Sequence, residues 1–324
     1  MAEVPVLGRE EVRAALDMPS LIDAVERAFT AYSAGGAELP SVIHLDVPER
    51  AGEIHVKAGY LHEGPYFAVK VASGFPGNDA MGLPTSDGMV MVFDARTGSP
   101  AAVLLDGGHL TDARTGAAGA VAARHLARAT PHTVAVLGTG IQARQQVQAL
   151  VHVRRFEEVR IWGRDSARAE ACAEDVRRAD GLPKGCAVLV VRSVQDAVEG
   201  ADVVVTATAS RGPLVREEWL SPGVHVTAVG SDGPDKQELD PGVLARADVL
   251  VADSVDQCVR IGELHHAVAA GAAREEDVVE LGTVTGGGHP GRSNEDQITV
   301  CDLTGVGVQD VAAATLVMER IGSA

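Results

Sequence analysis

The sequence predicts an α/β protein: a doubly wound parallel sheet of Rossmann type, joined to a smaller α+β domain built on an antiparallel sheet. Three observations predict it. A β-branched run from Thr133 ends in Gly138-Thr139-Gly140 and passes straight into a helix-compatible segment. Apolar strands then alternate with helical segments, as a parallel sheet covered on both faces requires. Before that turn, residues 41–105 read instead as short strands broken by turn signals, the pattern of hairpins and meanders.

Taken in order, apolar residues recurring at three and four (Leu21, Ala24, Val25, Ala28, Phe29, Tyr32) predict a helix from Pro19-Ser20 to Gly35-Gly36. Strands are expected over 42–47, 53–57, 66–72, 88–94 and 101–105. The small-residue segment 110–124 reads as a linking helix able to approach another backbone closely. A strand over 133–137 and a helix over 142–150 flank the glycine turn, followed by a strand at 159–162 and a helix at 166–178. Further strands are expected at 201–208, 224–229, 247–252 and 298–302, with a closing alanine-rich helix running to Arg320. The expected domains are 1–115 with 308–324, and 116–307.

The glycine turn carries the first chemistry. Gly138 permits the sharp turn, Gly140 admits a pyrophosphate close to the backbone, and Ala143 lets helix and strand pack tightly. Phosphates would rest on the free N–H groups of Thr139, Gly140, Ile141 and Gln142 at the helix start. A selector for the ribose is expected about 20 residues on, where an acid favours NAD(H) and an arginine NADP(H). Gly163 takes the acidic position and Arg164 follows it, so NADP(H) is favoured, while a displaced acid at Asp165 keeps NAD(H) open. Ser166 is expected to cap the next helix or to donate to a phosphate.

A net charge of −17 with no Lys/Arg cluster disfavours nucleic acid and anionic membranes, so any positive site must be local. No apolar stretch reaches transmembrane length and no signal pattern opens the chain, which reads as cytoplasmic. Cys172, Cys186, Cys258 and Cys301 show no C-x-x-C spacing and the eleven histidines no metal spacing, so no metal site is expected.

Several ordered motifs coincide: Lys70 with Gly74 to Asn78, Thr111 to Thr115 around Arg114, the glycine turn, Ser231-Asp232 with Lys236 and Glu238-Leu239, and Gly305-x-Gly307-x-x-Asp310. Together they resemble the ornithine cyclodeaminase/mu-crystallin family over essentially the whole chain. Residues 52–57, 253–257, 262–266 and 303–310 are most similar to its ectoine-utilisation branch. The resemblance implies a homodimer associating through the antiparallel sheets, a nicotinamide cofactor in the parallel-sheet domain, and hydride chemistry at a carbon bearing an amine or imine.

It also implies roles. Lys70 and Arg114 match the cations around the substrate carboxylate, and Asp232 matches the catalytic acid. The cofactor-binding set extends to Thr115, Thr206, Thr208, Val229 and Gly305. The chemistry is consistent with this: Arg114 offers a donor fork, Lys70 a tunable point charge, and Asp232 a carboxylate able to stabilise an iminium and move a proton. By residue type alone, Lys70 on a strand is a solvated lysine, Arg114 a surface ion-pair partner and Asp232 a turn residue.

An arginine that the family often carries before the first strand is replaced by Val42, and Lys57 stands where many relatives are apolar. Lys57 is either an exposed lysine or a substitute charge for a substrate other than ornithine. Three functions remain open: an NAD(P)H-dependent reductase of a small imino or ketimino acid, a redox-neutral cyclodeaminase releasing ammonia from a diamino acid, and a non-catalytic, NADPH-gated binder of a small ligand.

Overall fold

The computed structural model describes residues 3–322, and the chain divides between Arg114 and Thr115 and again between Gly305 and Val306. The expected limits at 115/116 and 307/308 differ from these by one and two residues, and the outermost limits, 1 and 324, lie outside the described residues.

The first unit opens with β1 (Val6–Gly8), α1 (Arg9–Ala15) and α2 (Met18–Ser33). The α2 helix starts two residues earlier than Ser20 because Asp17 caps it, accepting from the Ser20 N–H at 3.0 Å. Its apolar face buries Leu21, Ile22, Val25 and Phe29 completely, each contributing roughly 1.5–3 kcal/mol. Strands β2 (Ala37–Glu38), β3 (Ile43–Val47), β4 (Gly52–Leu61), β5 (Tyr66–Gly74), β6 (Ser86–Asp94) and β7 (Pro100–Leu105) follow. They pair antiparallel in the order β7-β6-β5-β4-β2, with β3 also on β4. Strand β1 adds to β7 in parallel, an element that its three-residue length concealed in the sequence.

Helix α3 (His109–Leu126) carries the chain across the division. Asp106, buried beside its start, accepts from the Leu110 N–H at 2.5 Å. In the second unit the sheet contains β8 (Thr133–Leu137), β9 (Glu158–Trp162), β10 (Ala187–Val190), β11 (Val203–Thr206), β13 (His225–Ala228), β15 (Val249–Ala252), β16 (Val279–Glu280) and β17 (Thr299–Asp302). Strands β12 (Arg211–Val215) and β14 (Gln237–Leu239) form a separate parallel pair. The large sheet is parallel throughout, in the order β10-β9-β8-β11-β13-β17-β15-β16.

The direction of strand progression reverses between β8 and β11, and ligands of such sheets bind beyond the strand ends at that point. Helices α4 (Ile141–Leu150), α5 (Ser166–Arg177), α6 (Val194–Val198), α7 (Pro241–Ala245), α8 (Val255–Ile261), α9 (Glu263–Ala269) and α10 (Leu281–Thr285) complete this unit. Two apolar clusters, one containing Val134, Val136, Val147 and Ile161 and the other Ala135, Leu137, Val204 and Val226, take opposite side-chain sets from the same strands and so cover both faces. The small residues of α3 do allow close approach: Gly116 and Gly119 face Gln145 and Gln146 of α4 with no room for a Cβ.

Finally α11 (Gly307–Gly322) belongs to the first unit. Its first turn lies on β4, where a Cβ on Gly307 would come within 2.6 Å of the Ala58 carbonyl oxygen.

Candidate functional site

Each unit holds a constellation of its own. In the first, β5 presents Lys70, α3 presents Arg114 and α11 presents Gln309 and Asp310, residues only 3, 5, 0 and 3% exposed. Asp310 sits between the two cations. Its Oδ2 is 2.8 Å from Lys70 Nζ, and its Oδ1 accepts from Lys70 Nζ and from Arg114 Nε, both at 3.0 Å. Arg114 Nη1 donates to Gln309 Oε1 at 2.5 Å. Lys70 is therefore no solvated lysine and Arg114 no surface ion-pair partner, because α11 folds over them.

Burial outweighs the ion pair and, with Arg114 and Lys57 adding repulsion, pulls the Lys70 ammonium down to about 7. Asp310 is held below the usual carboxylate range: Arg114 and Lys70 overcome the burial that would raise it. Lys57, half-buried on β4, pairs in register with Lys70 on β5. Two lysines and an arginine thus converge on one carboxylate, and the surplus positive charge suits an anionic ligand.

In the second unit the strand-to-helix turn has the geometry that nucleotide binding needs. Gly138 adopts φ +130°, and a Cβ there would lie 2.3 Å from the Ala207 carbonyl oxygen. No side chain caps α4, the space beside Gly140 is open, and Ile141 is exposed. Ala143 is buried as the packing position requires. Arg144 braces the turn, donating to the carbonyls of Thr139 and Gly140 at 2.6 and 3.0 Å and to Asp175 Oδ2 at 2.7 Å. Nothing in the spacing of the motif marks that residue.

The selector region differs from expectation in two details. Asp165 caps α5, its Oδ1 accepting from Arg168 N at 3.1 Å, so Ser166 does not cap and is the first helical residue. Asp165 is correspondingly committed to the helix. A Cβ on Gly163 would meet Thr139 Cγ2 at 2.3 Å, so a side chain there requires Thr139 to turn its methyl away. Arg164 is exposed beside it.

The other expected residues lie at or beyond the ends of β11, β13 and β17, except for Thr115 in α3. Thr206 is buried at a strand end, whereas Thr208 is in the following loop and not in the strand. The Val229 N–H donates to the Thr206 carbonyl at 3.0 Å. Asp232 is about half exposed, its Oδ1 2.5 Å from Lys236 Nζ. Gly305 has φ +80°, and its N–H donates to Asp253 Oδ2 at 2.7 Å. Thr115 accepts through its carbonyl from Gln146 Nε2 at 2.9 Å.

Behind these loops is a buried set of carboxyl groups that a residue-by-residue reading misses, because isolated Glu and Asp read as surface. Glu238 accepts from the N–H groups of Thr208 and Gly230, and Glu263 from those of Glu238 and Leu239. Burial pushes Glu238 and Asp302 up to about 7, and burial with repulsion from Asp302 pushes Glu263 up to about 9. Folding thus favours their protonated forms. Their contribution to stability is fully present below the unfolded carboxyl range and is lost as pH rises from there through about 7 and then 9. Relative to Glu263→Gln, the wild-type protein is expected to lose on the order of a few kcal/mol between pH 5 and pH 9. Thermal unfolding across that range measures it, and a wild-type-minus-mutant difference that does not change with pH would refute the assignment.

The four cysteines are unpaired, and among the described residues no group of three or more His, Cys, Asp or Glu is placed to hold a metal. Nor is any helix among them long and apolar enough to cross a membrane.

A sequence profile of the ornithine cyclodeaminase/mu-crystallin family matches residues 3–324. An uncharacterized cyclodeaminase of Sinorhizobium fredii is 44% identical over 325 residues, covering 99% of this chain and 96% of that protein. Among solved structures, Thermococcus litoralis Delta(1)-pyrroline-2-carboxylate reductase, in complex with NADH and L-proline, superposes with a TM-score of 0.92 at 30% identity, over 99% of this chain and 98% of that one. The iminosuccinate reductase of Paracoccus denitrificans, in complex with NAD+, gives a TM-score of 0.90 at 32% identity over 99% and 97%.

Proposed function

The chain belongs to the ornithine cyclodeaminase/mu-crystallin family, and from that premise we propose that it is an NAD(P)H-dependent reductase of the C=N bond of a small imino or ketimino acid. The observation that carries this reading is the buried anchor of Lys70 and Arg114 around the single carboxylate of Asp310. In a chain of net charge −17, that local surplus of cations is what an imino acid's carboxylate requires. Two relatives whose names state imine-acid reduction support it.

The glycine turn, the uncapped α4 and the open space at Gly140 fit a dinucleotide. When bound, the reduced nicotinamide supplies hydride to the imine carbon. This chain's residues do the rest. Arg114 and Lys70 orient the carboxylate, with Lys57 adding charge, and Asp232 directs a proton to nitrogen. Gly163 and Arg164 favour NADP(H), in contrast to the two relatives solved with NADH and NAD+. The segments resembling the ectoine-utilisation branch direct the substrate toward the imine of a hydroxyectoine-derived amino acid. The exposed Ile43, Leu45, Met81 and Leu83 of the first unit suit association of its sheets in a homodimer in the cytoplasm.

The test is to follow loss of reduced-nicotinamide absorbance with NADPH and with NADH as cyclic and α-imino acids are added. Oxidation supports the reductase; ammonia release from a diamino acid with NAD⁺, and no oxidation, moves the assignment to the cyclodeaminase that the Sinorhizobium relative's name states. Arg164→Ala is expected to lower kcat/KM for NADPH about tenfold, with little effect for NADH, as loss of one charge-assisted phosphate contact implies. An unchanged preference removes Arg164 from the cofactor site.

Lys70 also sets a pH limb. Its ammonium is charged below about 7 and neutral above, so kcat/KM for the imino acid is expected to fall with rising pH from about 7. Lys70→Arg, whose guanidinium stays charged, should carry that limb upward; a limb unmoved by the substitution belongs to another group.

A further inference from the structure

We propose that Glu238 is a positioning residue that locks the loop after β11 to the loop carrying Asp232, and so sets the nicotinamide half of the cofactor relative to the catalytic acid. This rests on the reductase reading and assigns a part in it to a residue that touches neither substrate nor cofactor.

The geometry is specific. Glu238 is fully buried on β14. Its Oε1 accepts from the Thr208 N–H at 2.6 Å and its Oε2 from the Gly230 N–H at 2.9 Å. Thr208 lies two residues beyond the end of β11 and Gly230 two beyond the end of β13, the strand ends past the reversal in sheet order. The adenosine half of a dinucleotide belongs with β8 to β10 and the nicotinamide half with these later strands. One carboxyl group therefore bridges the two backbone segments beyond the paired strand ends, adding a side-chain tie past the bond from the Val229 N–H to the Thr206 carbonyl.

Gly230 fits against the bridge: a Cβ there would come 2.3 Å from the Thr208 carbonyl oxygen and 2.5 Å from Glu238 Oε2. Two residues on, Asp232 sits in a loop closed by Ser231 Oγ donating to the Lys236 carbonyl at 2.6 Å, and His266 Nε2 is 2.8 Å from the same carbonyl. The bridge is itself anchored. Glu263 accepts from Glu238 N at 2.7 Å and from Leu239 N at 3.0 Å, so the strand bearing Glu238 cannot slide. A glutamine at 238 retains the size but offers only one acceptor, leaving one of the two N–H groups facing an amide NH₂.

The experiment compares Glu238→Gln with the full-length wild-type protein in three readouts: thermal unfolding, affinity for the complete reduced dinucleotide, and affinity for the corresponding ADP-ribose fragment that lacks nicotinamide. The expected result is a folded variant with dinucleotide affinity lowered about tenfold, fragment affinity within about twofold of wild type, kcat lowered by more than KM for the imino acid is raised, and Gly230→Ala giving the same pattern without adding to it. Should Glu238→Gln fail to fold, Gly230→Ala is judged by the same measurements.

Equal losses for fragment and dinucleotide would mean a general structural role and overturn the proposal, as would wild-type affinity and kcat. If the wild-type protein itself reduces no imino acid, the reductase reading fails, while the fragment comparison still decides what Glu238 does to the cofactor site.

Discussion

Asp310→Asn is expected to cost about 3–5 kcal/mol of stability and on the order of a hundredfold in kcat/KM, the largest effect of any single substitution in the first unit. The carboxylate is the shared partner of Lys70 and Arg114, both nearly inaccessible to water. Removing it leaves two buried cations facing each other. Repulsion from Arg114 and Lys57, now unopposed, drives Lys70 still further below its ordinary value, so that it is neutral at physiological pH. The alkaline limb assigned to Lys70 should consequently move to lower pH in the mutant. Urea unfolding and the pH dependence of kcat/KM check the two halves separately; a mutant as stable as wild type with an unmoved limb would remove Asp310 from the anchor.

Gly138→Ala is the second. At φ +130° an L side chain is strained by about 1–3 kcal/mol before any contact is considered. The added methyl would also lie 2.3 Å from the Ala207 carbonyl, a backbone atom that can retreat only by moving the loop after β11. Dinucleotide affinity is expected to fall on the order of a hundredfold, because the turn and that loop shift together. Titration followed by nicotinamide fluorescence measures this, and wild-type affinity in a folded mutant would mean that the turn does not cradle the cofactor.

These two residues also mark how far the sequence could be read. Gly138 was visible because its chemistry is local: a glycine pair between a β-branched strand and a helix announces a turn wherever it occurs. Most strands of both sheets are legible for the same reason, since alternation and continuous apolar runs are properties of neighbouring residues, whereas β1, β2, β10 and β16, each of four residues or fewer, are read from neither pattern. Asp310 is legible only as part of a motif, because its partner Lys70 is 240 positions away and nothing local discloses the pairing. Glu238, too, is legible only as part of a motif. A glutamate in a short polar strand reads as solvent-facing, and only the fold shows that its acceptors meet backbone N–H groups from two other loops. For α5 the sequence offers Ser166 as cap or phosphate donor, whereas Asp165 caps it: both are good caps, and one residue of helix phase decides which serves.

The division of the chain has a temporal meaning. Residues 115–305 are contiguous and emerge from the ribosome as a stretch containing every strand of the parallel sheet. The unit made first is finished last, because α11 belongs to it and lies beyond that stretch. A released chain truncated before residue 307 therefore has every strand of the parallel sheet, yet Lys70 and Arg114 lack the carboxylate that neutralises them. Such a chain would present cofactor-binding competence without a closed anchor, and would be expected to be degraded from its amino-terminal unit while the parallel sheet resists.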